Sequence, residues 1–271
     1  MVLRILAVLG CALVAQAKIL PVVESKNLDN CKQNKQLINA ANKQGDTALH
    51  MVSRQGYNDL LRMLLNSGAN TSVKNADGNT PLHLAVWYNQ TDSMNLFLSH
   101  GASMTLANKE GYSPFLLAVV NNNTIMVGDL LSKGANPNDA KKDGNTALHI
   151  AASKGYANVA SMLLSSGADV RAVNINGLTP LHSAMTIHNP IMMNMLVAKG
   201  ADLNAVTKDG YNALHMAVLN KNVNLIKALV QSGIDINAQT IEGNTALHLA
   251  LSKGYLDVAS LVIALNNALC N

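Results

Sequence analysis

Glycine recurs every 33 residues, at Gly45, Gly78, Gly111, Gly144, Gly177, Gly210 and Gly243, seven copies without one insertion. A second series, Gly68, Gly101, Gly134, Gly167, Gly200 and Gly233, keeps the same period, and Asn266 fills its seventh place. An unbroken period of this length constrains the fold more than composition can. Each copy is one supersecondary unit that buries its apolar face only by stacking on its neighbours.

Within a copy the order of elements is legible. Two residues after the first glycine stand Thr47, Thr80, Ser113, Thr146, Thr179, Asn212 and Thr245, residue types whose side-chain oxygen caps a helix N-terminus. Pro81, Pro114 and Pro180 follow the cap at the first helical position, where a missing N–H costs nothing. After about nine residues the chain is expected to turn, at Gly56, Gly155 and Gly254 or at Asn89 and Asn122. A second helix carries pairs such as Leu64-Leu65, Leu130-Leu131 and Leu163-Leu164 and is expected to end on the second glycine series in a left-handed cap, with Asn266 serving in the last copy. Such short helices are marginal alone, since isolated helices below about 12 to 15 residues barely form in water. Ala85, Ala118, Ala151, Ala184, Ala217 and Ala250 share one repeat position, a small face that permits close stacking. Composition agrees: 49% of residues are apolar and 13% charged, but aromatics are only 3%, so small aliphatics must fill the core.

The segments Gly78-Asn79-Thr80-Pro81-Leu82-His83-Leu84-Ala85, Gly144-Asn145-Thr146-Ala147-Leu148-His149-Ile150-Ala151 and Gly243-Asn244-Thr245-Ala246-Leu247-His248-Leu249-Ala250 resemble the ankyrin repeat. That resemblance implies an all-α, ankyrin-repeat solenoid of stacked helix-turn-helix units with short β-hairpin fingers. The repeats are assigned to residues 42–74, 75–107, 108–140, 141–173, 174–206, 207–239 and 240–271. Copy three departs most, with Phe115-Leu116 where others have Leu-His, and copy five has Ser183 at an apolar site. These departures put the two interfaces, not the fold, in question. Ile38-Asn39-Ala40 matches Leu203-Asn204-Ala205 in phase, so residues 18–41 are expected to form an N-terminal cap.

The chain opens with a short basic start, a ten-residue apolar run over 5–14 and the small-x-small triplet Ala15-Gln16-Ala17. This pattern predicts a secretory signal peptide over residues 1–17, and a secreted or periplasmic location. Val8-Leu9-Gly10-Cys11 loosely resembles a lipoprotein box, but Leu9 is bulky for it and the preceding apolar run is short. No stretch reaches the roughly 20 apolar residues of a membrane span.

Catalytic and metal chemistry find little to rest on. Six of the eight histidines, at 50, 83, 149, 182, 215 and 248, share one repeat position. Helices stacked about 8 to 10 Å apart cannot bring successive imidazoles within ~2 Å of one zinc. In ankyrin repeats this histidine is an internal hydrogen-bonding residue beside the threonine cap. No nucleophile elbow, H-E-x-x-H, phosphate loop, dinucleotide fingerprint or paired carboxylates occur. No cofactor is implied. Cys31 and Cys270, the cysteines left after signal removal, would lie ~60 to 70 Å apart in a seven-copy stack, too far to pair with each other; each is a buried thiol or an intermolecular link. Asn70-Thr71-Ser72, Asn89-Gln90-Thr91 and Asn122-Asn123-Thr124 are formal glycosylation sequons, relevant only in a eukaryotic source.

The formal charge of +4, from 20 Lys and Arg against 16 Asp and Glu, is too mixed for the basic field of a nucleic-acid binder. Residues 18–74 hold eight basic against four acidic side chains, an excess read as ordinary solvated surface, with an acidic partner as the alternative.

In ankyrin folds the finger tips and the exposed side of the first helix line a concave groove, so function should show there as misplaced hydrophobics. Finger positions are mostly polar, but Tyr112, Ile175, Leu178, Tyr211 and Ile241 break the rule. The first-helix positions include Trp87-Tyr88, Val120-Asn121, Thr186-Ile187 and Leu219-Asn220. Trp and Tyr are over-represented at binding hot spots. The expected protein-binding site is therefore Trp87, Tyr88, Tyr112, Val120, Asn121, Leu178, Ile187, Tyr211 and Leu219, the alternative for Trp87 being local packing. The function expected is that of an exported, non-enzymatic scaffold, a monomer binding another protein or a polypeptide segment. A secreted bacterial effector acting on a host protein, and a metal- or thiol-dependent enzyme, are the alternatives.

Overall fold

The computed structural model describes residues 38–185 and 189–269. The expected signal peptide, most of the N-terminal cap, Cys11, Cys31, Cys270 and Ile187 lie outside the described residues. Fourteen helices occur among the described residues, in pairs. They are α1 (Ala48–Gln55) and α2 (Asn58–Asn66), α3 (Pro81–Trp87) and α4 (Thr91–Ser99), α5 (Pro114–Val120) and α6 (Thr124–Ser132), α7 (Ala147–Lys154) and α8 (Ala157–Ser165). Then come α9 (Pro180–Ala184) and α10 (Pro190–Ala198), α11 (Ala213–Leu219) and α12 (Val223–Gln231), and α13 (Ala246–Ser252) and α14 (Leu256–Leu269). Two compact units divide between Asn121 and Asn122. In the first, α3 packs on α1 and α5, and α2 on α4. In the second, first helices stack in the order α7, α9, α11, α13, while α8 packs on α6 and α10, and α12 on α14.

All seven expected caps occupy the N-cap position of a first helix. Six form a capping box in which histidine takes the place usually held by Glu or Gln. In the second repeat the Thr80 backbone N–H donates to His83 Nδ1 at 3.1 Å, with Thr80 Oγ1 2.7 Å from the same nitrogen. His83 Nε2 then donates to the Tyr112 carbonyl at 3.0 Å, one repeat further on. The same reach links His50 to Asn79, His149 to Leu178 and His215 to Asn244. One side chain thus closes its own helix and ties it to the next repeat, which is the internal role expected of it. His182 differs among these buried rings: among the described residues its Nε2 has no partner in full hydrogen-bond geometry, although the Ala205 and Tyr211 backbones act on the ring.

The fingers between repeats are hydrogen-bonded turns. Among the described residues there is no β-strand, and one antiparallel bridge joins Ala140 to Thr146. Neighbouring fingers hold each other through the backbone: Ala76 N–H donates to Gln44 O at 2.8 Å and Lys109 N–H to Asp77 O at 3.0 Å in the first unit. Ile175 to Asp143, Lys208 to Asn176 and Ile241 to Asp209 repeat the pattern in the second. Here Gly45, Gly78, Gly144, Gly177 and Gly210 of the first series differ from the second series. Gly78 has φ 77°, and a Cβ on it would meet Lys109 N at 2.8 Å, whereas Gly101 has φ 76° and open space around it. Gly101→Ala should therefore cost about 1 to 2 kcal/mol of left-handed backbone strain. Gly78→Ala should cost about 1 kcal/mol more, because the finger bond must also open. Urea midpoints of the two variants give the order; equal midpoints would remove the contact argument.

The alanine stripe behaves as expected, with Ala85, Ala118, Ala151, Ala184, Ala217 and Ala250 fully buried. The departure in copy three is compensated: Phe115 and Leu116 are both buried, and Ser113 Oγ accepts from Leu116 N–H at 3.1 Å, so the cap survives without histidine. Copy five differs from the others. Its first helix α9 has five residues, and Ser183 is half-buried. One expectation fails. Asn266 is no left-handed cap, because α14 runs through it to Leu269 for 14 residues. Continuing the helix keeps backbone groups paired that an ending there would leave without intrahelical partners. Asn does take the left-handed conformation at the expected inner turns Asn89 (φ 63°) and Asn122 (φ 53°), joined by Lys221 (φ 51°).

Candidate functional site

The first unit contains a cleft with about 630 Å³ of open space. Three elements build it: the last turns of α1 and α3, the fingers preceding α3 and α5, and the first-helix face beneath them. Trp87 closes α3 and Tyr88 caps it, so both leave the helix where its buried face ends. They remain 51% and 45% exposed. Arg54, from the last turn of α1, lies with its guanidinium 5.6 Å from the Tyr88 ring centre and pairs with Asp46 at 3.3 Å. A cation over an aromatic face and beside a carboxylate is held in place from two sides.

The finger side of the cleft is polar. Asn75, Asp77, Asn79, Asn108 and Glu110 line it. The asparagines bond from finger to finger, Asn75 Nδ2 to Asp46 Oδ1 at 2.8 Å and Asn108 Nδ2 to Asn79 Oδ1 at 2.9 Å, and so set the spacing of the wall. His83 lies beneath. Burial lowers its pKa to about 4, the hydrogen bond to the Tyr112 carbonyl opposing only part of that shift, so it is neutral at neutral pH. The cleft charges are then those of Arg54, neutralised by Asp46, and of Asp77 and Glu110. Lys74, whose ammonium donates to the Ala107 carbonyl at 2.7 Å, also bears on His83 and opposes its protonation.

The other expected site residues are placed as follows. Tyr112 and Val120 are half-buried, and the Tyr112 carbonyl receives the His83 bond. Asn121 is exposed, but its Nδ2 donates to the Val86 and Trp87 carbonyls at 3.3 and 3.2 Å, closing the end of α3. In the second unit Leu178, Tyr211 and Leu219 are half-buried. The Leu178 carbonyl accepts from His149 Nε2, and the Tyr211 ring meets His215 edge-on at 5.8 Å. The more exposed apolar finger residues there are Ile175 at 55% and Ile241 at 76%. Sequence pattern singled out both as misplaced hydrophobics, yet only their half-buried neighbours entered the expected site. Arg54, Asp77 and Glu110 were also passed over, being polar residues at positions where polar residues are ordinary.

Among the described residues, no three His, Cys, Asp or Glu side chains gather closely enough to hold a metal ion. No described helix is long and apolar enough to cross a membrane.

The chain matches the family model described as ankyrin repeats (3 copies) over residues 19–108, 94–174, 115–207, 166–240 and 188–271. Solved structures similar to it include the ankyrin repeat domain of Bcl-3, described as a unique member of the IkappaB protein family. The two are 30% identical with a TM-score of 0.70, over 76% of this chain and 95% of that one. No protein with a curated functional description matches the sequence.

Proposed function

The chain belongs to the ankyrin-repeat family, and from that premise we propose that it is an exported, non-enzymatic scaffold that grips a partner protein in the cleft of its first unit. Ankyrin-repeat domains are protein-interaction scaffolds. The observation that carries the reading is the exposure of Trp87 and Tyr88 side by side on the wall of a polar cleft, in a chain with a single tryptophan. Aromatic side chains bring large contact area at low entropic cost, and a fold that needed them only for packing would bury them, as it buries Phe97 and Phe115. Leaving both half-exposed forgoes burial that would stabilise the unit, a sacrifice that binding accounts for.

Export rests on the basic start, the apolar run and the Ala15-Gln16-Ala17 triplet. A mature N-terminus at Lys18 is the expected product, and one at Cys11 would mean lipidation instead. For binding, Trp87→Ala with Tyr88→Ala should lower partner capture on the order of 100-fold while leaving helicity unchanged. Unchanged capture by the folded double variant would remove the site. Affinity capture from the exporting cell, with that variant as control, is the experiment.

A further inference from the structure

Ankyrin grooves take partners of every charge, so the class of partner must come from the chemistry of this cleft. Its three kinds of lining group do not balance. Arg54 is already engaged, paired with Asp46 at 3.3 Å and lying over Tyr88. Asp77 and Glu110 line the cleft from adjacent fingers, and among the described residues neither carboxylate forms an ion pair. His83 beneath them is neutral, Asn108 Nδ2 donates to Asn79 Oδ1, and Asn75 Nδ2 donates to Asp46. What remains in the lining is two carboxylates that form no ion pair among the described residues, in a cleft that half-exposed Trp87 also lines.

We infer that this cleft receives an arginine or lysine side chain on an extended segment of the partner protein, with Trp87 as its stacking platform and Asp77 and Glu110 as its counter-charges. The inference rests on the reading of this cleft as the partner site. Charge complementarity selects the occupant. An acidic side chain here would face two like charges, and a purely apolar one would desolvate both carboxylates with nothing in exchange. A cation satisfies the aromatic face and the carboxylates together. Because the chain as a whole is net positive by +4, the attraction is local and brings no long-range steering of a basic partner.

The test uses the full chain and a phage-displayed library of random dodecapeptides, with enriched sequences resynthesised carrying fluorescein and titrated by polarisation. Enriched peptides should share an Arg or Lys whose replacement by norleucine weakens binding on the order of 10-fold. Asp77→Asn with Glu110→Gln should weaken the same peptides on the order of 10-fold and flatten their salt dependence. The urea midpoint should not move, since the finger bond uses the Asp77 carbonyl and not its side chain. Enrichment of acidic or uncharged peptides, no enrichment at all, or a charge variant that binds the basic peptides unchanged overturns the inference. The two failures are separable. Binding lost in Trp87→Ala with Tyr88→Ala but kept in the charge variant leaves the cleft standing without its cationic occupant; binding kept in both places the partner site elsewhere.

Discussion

Acidification from about pH 7 to about pH 4 is expected to remove on the order of 3 kcal/mol of stability through His83 alone. Its imidazole is fully buried, and desolvation holds its pKa at about 4, below the ordinary 6.5. The sign follows from which state binds more protons. Between those two values the unfolded chain takes up a proton that the folded one refuses, so stability is whole above the unfolded pKa and falls as pH drops towards the folded one. Burial is also the leading cause that lowers the pKa of His50 in the first unit and of His149, His182 and His215 in the second. All five act in the same direction. The geometry explains why: Nδ1 accepts the N–H of the capping residue in each of these boxes, and a protonated ring has no lone pair there to offer. Urea melts should show midpoints flat above about pH 7 and falling steadily below it. Equal midpoints at about pH 5 and pH 7.5 would contradict the buried-neutral assignment.

The second large effect concerns the two phenylalanines. A chain with two Phe and one Trp has placed both Phe in the first unit, Phe97 fully enclosed and Phe115 at 1% exposure. Phe97→Ala and Phe115→Ala should each cost about 3 to 5 kcal/mol, because the helices around a fixed alanine stripe can collapse only partly into the void. Trp87 reports on this unit directly, being the protein's only tryptophan. Its emission should shift at a lower urea concentration in either variant. A variant whose Trp87 transition stays in place would mean that the surrounding helices close the gap.

Much of this architecture was open to the sequence because the repeat makes one inference seven times. Thr80, Pro81, His83 and Ala85 have assigned roles that depend only on their distance from Gly78, and the structure reproduces those roles in unit after unit. Resolution was lost where a property depends on two fingers at once. Asp77 and Glu110 each occupy an ordinary polar finger position; that both line one cleft with Trp87 is a fact of three-dimensional adjacency. The same holds for Arg54 lying across Tyr88, two groove positions in successive copies. Leu178 and Ile175 both break the polar rule of that finger in sequence, and only the fold shows that Ile175, three places earlier, is the exposed one. Asn266 failed for a different reason: a capping propensity compares turning with continuing, and the sequence shows only the first of the two costs.

The hydrogen bonds that join successive repeats within each unit span fixed lengths of chain: 29 residues from a capping-box histidine to a carbonyl, 31 from Asn39 to Asn70 or Asn138 to Asp169, and 32 between fingers. The gene for such a protein is therefore quantised. A single codon added between a finger and its helix would put every one of these spans out of step at that junction, while duplication or loss of a whole 33-residue module keeps donors opposite acceptors. Lineages carrying this chain should differ in how many modules they hold far more readily than in how long each module is.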